Sequence, residues 1–311
     1  MNLMFISNED RADQWRDNLT ALLPDLNFYV WPDDQAVDPA TIDYVLAWKP
    51  APGIIKRFPN LKAILSLGAG IDGITCDPEL PIDKPLVHLV DRSLTQGMVQ
   101  FALYWVLHFH RQMGTYQKFA EARTWRQLPQ AEVDACRVGI LGFGELGQAV
   151  GSALAAQHFD VAGWSRSPKQ IAGITSYAGA EALPGFLGRS DMLICLLPLT
   201  PETEGIIDAA LLAALPRGAI VINLARGRHL VDADLLAALD SGHLSAAVLD
   251  VFYNEPLAAE HPFWAHEKVT VTPHIAALTS PRSGADSVAA NIERIERGET
   301  PLNLIDLARG Y

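Results

Sequence analysis

Short apolar runs recur along the chain, each bounded by polar or turn-forming residues: 3–6, 44–47, 63–67, 86–89, 138–141, 161–164, 192–197, 219–224, 246–251 and 269–272. Runs such as 3–6, 44–47 and 192–197 stay apolar at consecutive positions, the pattern of strands covered on both faces. Helix-compatible stretches separate them. In Asp232-Ala-Asp-Leu-Leu-Ala-Ala-Leu-Asp-Ser-Gly242, Leu235, Leu236 and Leu239 share a face, Asp232 stands where an N-cap is wanted and Gly242 where a helix stops. Strand and helix in alternation predict parallel sheets with helices on both sides.

The alternation comes in two blocks, one before about residue 98 and one over about 137–273, and the apolar stretch 98–107 joins them as a buried helix. A last helical segment, 283–298, returns the chain to the first block. The expected fold is α/β: two Rossmann-like, doubly wound parallel-sheet domains with a cleft between them, one formed by residues 1–97 plus 275–311 and the other by 98–274. The length, 311 residues, is about two domains' worth.

Charge then narrows the partners. With 36 Asp and Glu against 24 Lys and Arg, the net charge of −12 repels phosphate backbones and anionic membrane surfaces, so neither nucleic acid nor a membrane is expected. The 98–107 segment is broken by Gln100 and ends in His108, His110 and Arg111, short of the ~20 apolar residues a span requires. Cys76, Cys136 and Cys195 are odd in number, far apart and in no metal-ligating spacing, which suits a reducing cytoplasm and predicts no metal site. The amino terminus has no basic region or cleavage site and reads as a first strand.

Candidate chemistry begins at Gly142-Phe-Gly144-Glu145-Leu146-Gly147, which follows the run 138–141 directly and opens a helix-compatible stretch. In that context the glycines have separate duties: Gly142 turns the chain, Gly144 admits a pyrophosphate to the backbone, and Gly147 packs helix on strand. The helix amino terminus then offers N–H groups to the phosphates. About 20 residues on, where NAD-binding chains place an acidic residue, this chain has Ser165, Arg166 and Lys169. Without a carboxylate, and with two cations and a hydroxyl, the turn favours the 2′-phosphate of NADP (NADPH), with NAD possible; a solvated basic turn is the plainer reading.

Three polar residues end predicted strands, where ligands of open α/β sheets bind: Arg226 in Asn-Leu-Ala-Arg-Gly, Glu255 in Asn-Glu-Pro and His274 in Pro-His-Ile. Together with the glycine motif, Leu196-Leu-Pro-Leu-Thr200 and Leu249-Asp250-Val-Phe, in that order, they resemble the NAD(P)-dependent D-2-hydroxyacid dehydrogenase family along essentially the whole chain. Leu67-Gly68-Ala69-Gly70-Ile71-Asp72, the Trp-Ser-Arg turn at 164–166 and the ending Asp306-Leu-Ala-Arg-Gly-Tyr311 are similar to its glyoxylate/hydroxypyruvate reductase branch.

The resemblance implies a flavodoxin-like substrate-binding domain over 1–97 plus 275–311, a dinucleotide-binding Rossmann domain over 98–274 and an active-site cleft between them. It also implies NADPH-dependent reduction of a small anionic 2-oxo acid, glyoxylate to glycolate and hydroxypyruvate to D-glycerate. Arg226 would grip the carboxylate and carbonyl, His274 would donate the proton, and Glu255 would hydrogen-bond His274 and keep it in its donating form. Gly68, Ala69 and Gly70 would hold the substrate carboxylate through their backbone. Asp250 would meet the nicotinamide carboxamide or, on the plainer reading, cap the next loop, and Leu197, Pro198 and Ala225 would frame the cofactor. Either a substrate-lining or a core role fits Trp48. A homodimer through the cofactor domain is also implied, for which the 101–107 helix supplies surface unless it is internal. Departures are Gln100 in place of an acid, Leu94 in place of a methionine and Pro168 in place of a basic residue. Two other readings stay open: a dehydrogenase for pyruvate, a phenylpyruvate-like or a phosphorylated acid, and a non-catalytic nucleotide-sensing protein.

Overall fold

The computed structural model of the protein describes residues 1–307. In chain order the elements are β1 (Asn2–Ile6), α1 (Ala12–Leu22), β2 (Asn27–Val30), β3 (Tyr44–Ala47), β4 (Ala63–Ser66), α2 (Asp72–Thr75), β5 (Leu86–Val87), α3 (Arg92–His110) and α4 (Met113–Glu121). They continue with β6 (Arg137–Leu141), α5 (Glu145–Ala156), β7 (Asp160–Ser165), β8 (Thr175–Ala178), α6 (Leu183–Leu187), β9 (Met192–Cys195) and α7 (Ala209–Ala214). The last are β10 (Ala219–Asn223), α8 (Asp232–Asp240), β11 (Leu244–Leu249), β12 (Val269–Val271) and α9 (Pro281–Glu296). Of the terminal stretch likened above to a reductase branch, residues 308–311 lie outside the described residues.

The chain divides into two compact units, Met1–Leu94 with Leu278–Tyr311, and Thr95–Ala277. The first carries a five-stranded sheet in the order β2-β1-β3-β4-β5, every pair parallel. The second carries seven parallel strands in the order β12-β11-β10-β9-β6-β7-β8. These are the flavodoxin-like and dinucleotide-binding windings, and each has one point where the strand order reverses: between β1 and β3, and between β6 and β9.

Unbroken apolar strands follow from double coverage. Leu3 and Phe5 of β1 enter one core and Met4 and Ile6 the opposite one, and in β6 Leu141 faces away from Val138 and Ile140 in the same manner. Successive side chains of a strand point to opposite faces, so a strand between two helix layers is apolar at successive positions, with polar residues such as Ser66 and Asn223 confined to strand ends.

Three local expectations are corrected. The helix expected near 98 begins at Arg92 and is not buried throughout: Met98, Ala102 and Val106 lie in the core, but Tyr104 is 56% exposed and Leu107 39%. Asp232 does not cap α8; Val231 holds that position, and the Asp232 carboxylate pairs with His261 at 3.3 Å. The strands β2 and β8 join the expected set: each is a partly buried edge strand, β2 with the short apolar run Phe28-Tyr29-Val30 and β8 with the mixed Thr-Ser-Tyr-Ala.

Candidate functional site

In the second unit, β6 runs into the glycine turn and α5 starts at Glu145 with Gly144 as its N-cap. The N–H groups of Gly142 and Phe143 both donate to the Trp164 carbonyl at 3.0 Å, which folds the turn over β7. Gly142 has φ +107°, and a Cβ there would lie 2.5 Å from the carbonyl carbon of Leu196. At Gly147 a Cβ would lie 2.1 Å from the Gly142 carbonyl oxygen, so helix and turn touch directly. Gly144 is different: no atom lies within 4 Å of where its Cβ would be. That open cradle, beside the first turn of α5 with Glu145 and Leu146, at the point where the strand order reverses, fits the pyrophosphate of a dinucleotide.

β7 ends in Trp164 and Ser165, and the Trp164 indole donates to the Gly179 carbonyl at 2.9 Å. Ser165 donates its hydroxyl to the Ser167 carbonyl at 2.8 Å, Arg166 projects as an exposed side chain, and the Lys169 N–H donates to the Ser176 hydroxyl at 3.1 Å. Across from this turn, the Thr200 hydroxyl and, more weakly, Arg166 hold the Glu202 carboxyl below its usual range. The loop that follows β9 carries the buried Leu197 and the exposed Pro198.

The three strand-end residues all lie in this unit. After β10, the buried Asn223 brackets Arg226: its Oδ1 accepts the Ala225 N–H at 3.2 Å and its Nδ2 donates to the Arg226 carbonyl at 3.0 Å. The Arg226 guanidinium donates to the Ala225 carbonyl at 2.7 Å. After β11, Glu255 accepts the Phe252 N–H on Oε1 at 3.1 Å and His274 Nδ1–H on Oε2 at 2.9 Å. Because a carboxylate only accepts, Nδ1 carries the hydrogen, and among the described residues no partner takes Nε2. His274 stands at φ +54°, a left-handed conformation unusual for a residue with a side chain, and persists because its turn is over-determined.

Asp250 does the determining. Its carboxylate, 1% exposed, accepts the Thr272 hydroxyl at 2.6 Å, the Ile275 N–H at 2.9 Å and the Ala276 N–H at 2.8 Å, and its carbonyl accepts the His274 N–H at 2.8 Å. The plainer of its two sequence readings, a cap on the following loop, describes these contacts. They use three of the four acceptor positions a carboxylate offers.

In the first unit Trp48 follows β3, at the strand-order reversal, and its indole lies against Gly68: a Cβ at Gly68 would be 2.6 Å from the ring. Glu9 accepts the indole N–H at 3.1 Å and pairs with Lys49 at 3.4 Å. Trp48 is half-buried, packed at the margin of the core and not within it. The loop 68–70 hangs on two side chains: Ser66 donates to the Gly70 carbonyl at 3.2 Å, and His88 donates to the Ala69 carbonyl at 3.3 Å. Among the described residues nothing accepts the N–H groups of Ala69 and Gly70, which leaves the loop an anion-compatible face.

Sequence reasoning missed Asn223, His229, Ser66, His88 and Glu9. All five are polar residues whose partners are visible only in three dimensions. Among the described residues no group of three His, Cys, Asp or Glu could hold a metal ion. No described helix is long and apolar enough to cross a membrane.

Comparison with known proteins agrees with this geometry. Residues 103–276 match the family described as D-isomer specific 2-hydroxyacid dehydrogenase, NAD binding domain. Over the full length of both chains the protein is 44% identical to glyoxylate/hydroxypyruvate reductase A of Serratia proteamaculans. The crystal structure of a D-isomer specific 2-hydroxyacid dehydrogenase from Xanthobacter autotrophicus, in complex with NADPH and MES, superposes with a TM-score of 0.94 at 43% identity, covering 100% of this chain and 99% of that one. The NADPH-dependent glyoxylate/hydroxypyruvate reductase of Sinorhizobium meliloti, in complex with NADP and sulfate, gives 0.95 at 40% identity over the whole of both chains.

Proposed function

The chain belongs to the D-isomer specific 2-hydroxyacid dehydrogenase family, and from that premise we propose that it reduces small 2-oxo acids with NADPH, glyoxylate to glycolate and hydroxypyruvate to D-glycerate. The observation that carries the reading is the His274–Glu255 pair, 2.9 Å apart, with Nε2 left as the donating edge in the same unit as Arg226.

Reduction needs the carboxylate held, the ketone polarised and a proton delivered as charge develops on oxygen. Arg226 supplies the first two, since a guanidinium offers several donors in a fixed plane. His274 gives its Nε2 proton to the developing alkoxide, and Glu255 stabilises the charged ring before transfer and its orientation afterwards. Backbone N–H groups of Ala69 and Gly70, beside Gly68, are the first unit's candidates for an anionic substrate, and Trp48 its candidate for limiting substrate size.

The dinucleotide, when bound, supplies the hydride that reaches the substrate's C2. Gly142, Gly144, Glu145, Leu146 and Gly147 would hold its pyrophosphate, Leu197, Pro198 and Ala225 would frame it, and Asp250 would offer its fourth acceptor position to the carboxamide. Ser165, Arg166 and Lys169 would take the 2′-phosphate. A turn with two cations and no carboxylate supports NADPH over NADH.

The protein is a cytoplasmic homodimer in this reading. Its free cysteines support the first. The exposed Tyr104, Leu107, Met113 and Trp125, all in the NAD-binding unit, support the second.

The test is steady-state oxidation of NADPH and of NADH with glyoxylate, hydroxypyruvate and pyruvate, compared as kcat/KM. A lead of tenfold or more for NADPH with either of the first two, about 1.4 kcal/mol in the transition state, is expected. A lead for NADH overturns the cofactor reading; turnover of pyruvate alone overturns the substrate reading.

A further inference from the structure

His229 takes no part in the steps above, yet it ties two of their segments together. Its side chain is fully buried, 0% exposed, in the turn that Arg226 begins. Nδ1 lies 3.2 Å from the backbone nitrogen of Arg226, and Nε2 lies 3.2 Å from the carbonyl oxygen of Pro198. An N–H group can only donate, so Nδ1 is the acceptor; a carbonyl can only accept, so the ring hydrogen sits on Nε2. Both neighbours ask for the same neutral tautomer. The imidazole is a fitted strut between the loop after β9 and the backbone of Arg226.

The rest of the turn is held just as closely. A Cβ on Gly227 would lie 1.8 Å from the carbonyl carbon of Phe252, so the turn's backbone rests directly on the segment that leads to Glu255. The loop is stitched to the same turn by Gly205 N–H to the Arg228 carbonyl and Ile207 N–H to the His229 carbonyl, both 2.8 Å, while Thr203 donates to the Pro198 carbonyl at 2.7 Å. Arg226 therefore starts from a backbone pressed on one side against the Glu255 segment and braced on the other by His229.

We propose that His229 is a positioning residue: it sets Arg226 relative to the Pro198 loop, and so sets the guanidinium for the 2-oxo acid. The inference rests on the reading of Arg226 as the substrate's carboxylate and carbonyl partner. Orientation is where small displacements are expensive, since a misplacement of ~1 Å costs on the order of 100-fold in rate. An apolar replacement removes the acceptor for the Arg226 N–H in a site closed to water.

The test is a double-mutant cycle in the full-length protein, crossing His229→Ala with Arg226→Lys and measuring kcat and KM for glyoxylate with NADPH, NADPH affinity and the melting temperature. His229→Ala alone is expected to lower kcat/KM by roughly 10- to 100-fold. In the Arg226→Lys background the further loss is expected to stay within about twofold, because what His229 orients is already gone. His229→Asn, whose carbonyl oxygen can accept the Arg226 N–H, is expected to recover most of the activity, and it carries the same cycle should the alanine variant not fold. Losses that multiply in the double variant overturn the proposal, as does a His229 variant that melts earlier with kcat and KM unchanged. If Arg226→Lys alone leaves kcat/KM intact, the reading of Arg226 fails, and the role of His229 fails with it by a separately visible route.

Discussion

Replacing Gly144 with alanine separates the fold from cofactor binding. The residue sits at φ −78° and ψ −155°, extended backbone open to any amino acid, with no atom within 4 Å of an added Cβ. Two small effects on stability oppose each other. Alanine reduces the freedom of the unfolded chain, worth ~0.4–1 kcal/mol, and is a poorer N-cap for α5 than glycine by ~0.5–1 kcal/mol. The net is within about 0.5 kcal/mol, a shift in Tm of ~2 °C or less for a chain of this size. Binding is another matter, because the methyl group occupies the space through which a pyrophosphate would approach the start of α5. Overfilling a fitted site costs ~1–3 kcal/mol, so NADPH should bind ~5- to 150-fold more weakly. Calorimetric titration with NADPH beside scanning calorimetry reads both quantities on one sample. Gly142→Ala and Gly147→Ala are the contrast: their Cβ atoms would stand 2.5 Å and 2.1 Å from backbone atoms, so they should lower Tm outright. Wild-type NADPH affinity in a normally folded Gly144→Ala protein would refute the cradle; a large fall in its Tm would refute the stability reasoning.

The remaining predictions address the chemistry, the cofactor turn and the fold. His274→Ala should lower kcat by ~10²–10⁴-fold while NADPH affinity stays near wild type, and unchanged turnover would end its assignment as proton donor. Arg166→Ser should erode the NADPH-over-NADH ratio in kcat/KM by weakening NADPH alone, about tenfold for one charge-assisted contact; an unchanged ratio would show a merely solvated side chain. Asp191 receives the Arg137 guanidinium in two bonds of 2.9 and 2.6 Å and the Arg137 N–H at 3.1 Å; although partial burial opposes it, these hold its carboxyl below the usual range. A carboxyl with a depressed pKa stabilises the fold above its unfolded value of about 4 and loses that contribution as pH falls through the lower, folded value. Asp191→Asn should therefore cost about 1 kcal/mol at pH 7, discounted because both partners are over a third exposed, and the Tm gap to wild type should narrow as pH falls from about 4 through the lower folded value; a gap as wide at pH 3 as at pH 7 contradicts the assignment.

Central strands were legible because coverage by two helix layers leaves a purely local trace: β1, β3, β6 and β9 read as unbroken apolar runs before any partner is known. The glycine turn was legible for a similar reason, its positive φ and close approaches being demands on residue type at one place in the chain. Arg226, Glu255 and His274 stood out because strand ends are where an open sheet exposes polar groups. β2 and β8 left a weaker trace: both are only partly buried, and they are held by pairing with β1 and β7 as well as by side chains such as Phe28 and Tyr177 that pack on the cores. What holds the site was likewise beyond local reading. Asp250 meets partners 22 to 26 residues away and His229 meets Pro198 31 residues away, while Glu9 reaches Trp48 across 39. A sequence states which residues are capable of hydrogen bonding; only the packed chain, where an unpartnered buried polar group is costly, decides which of them must find each other.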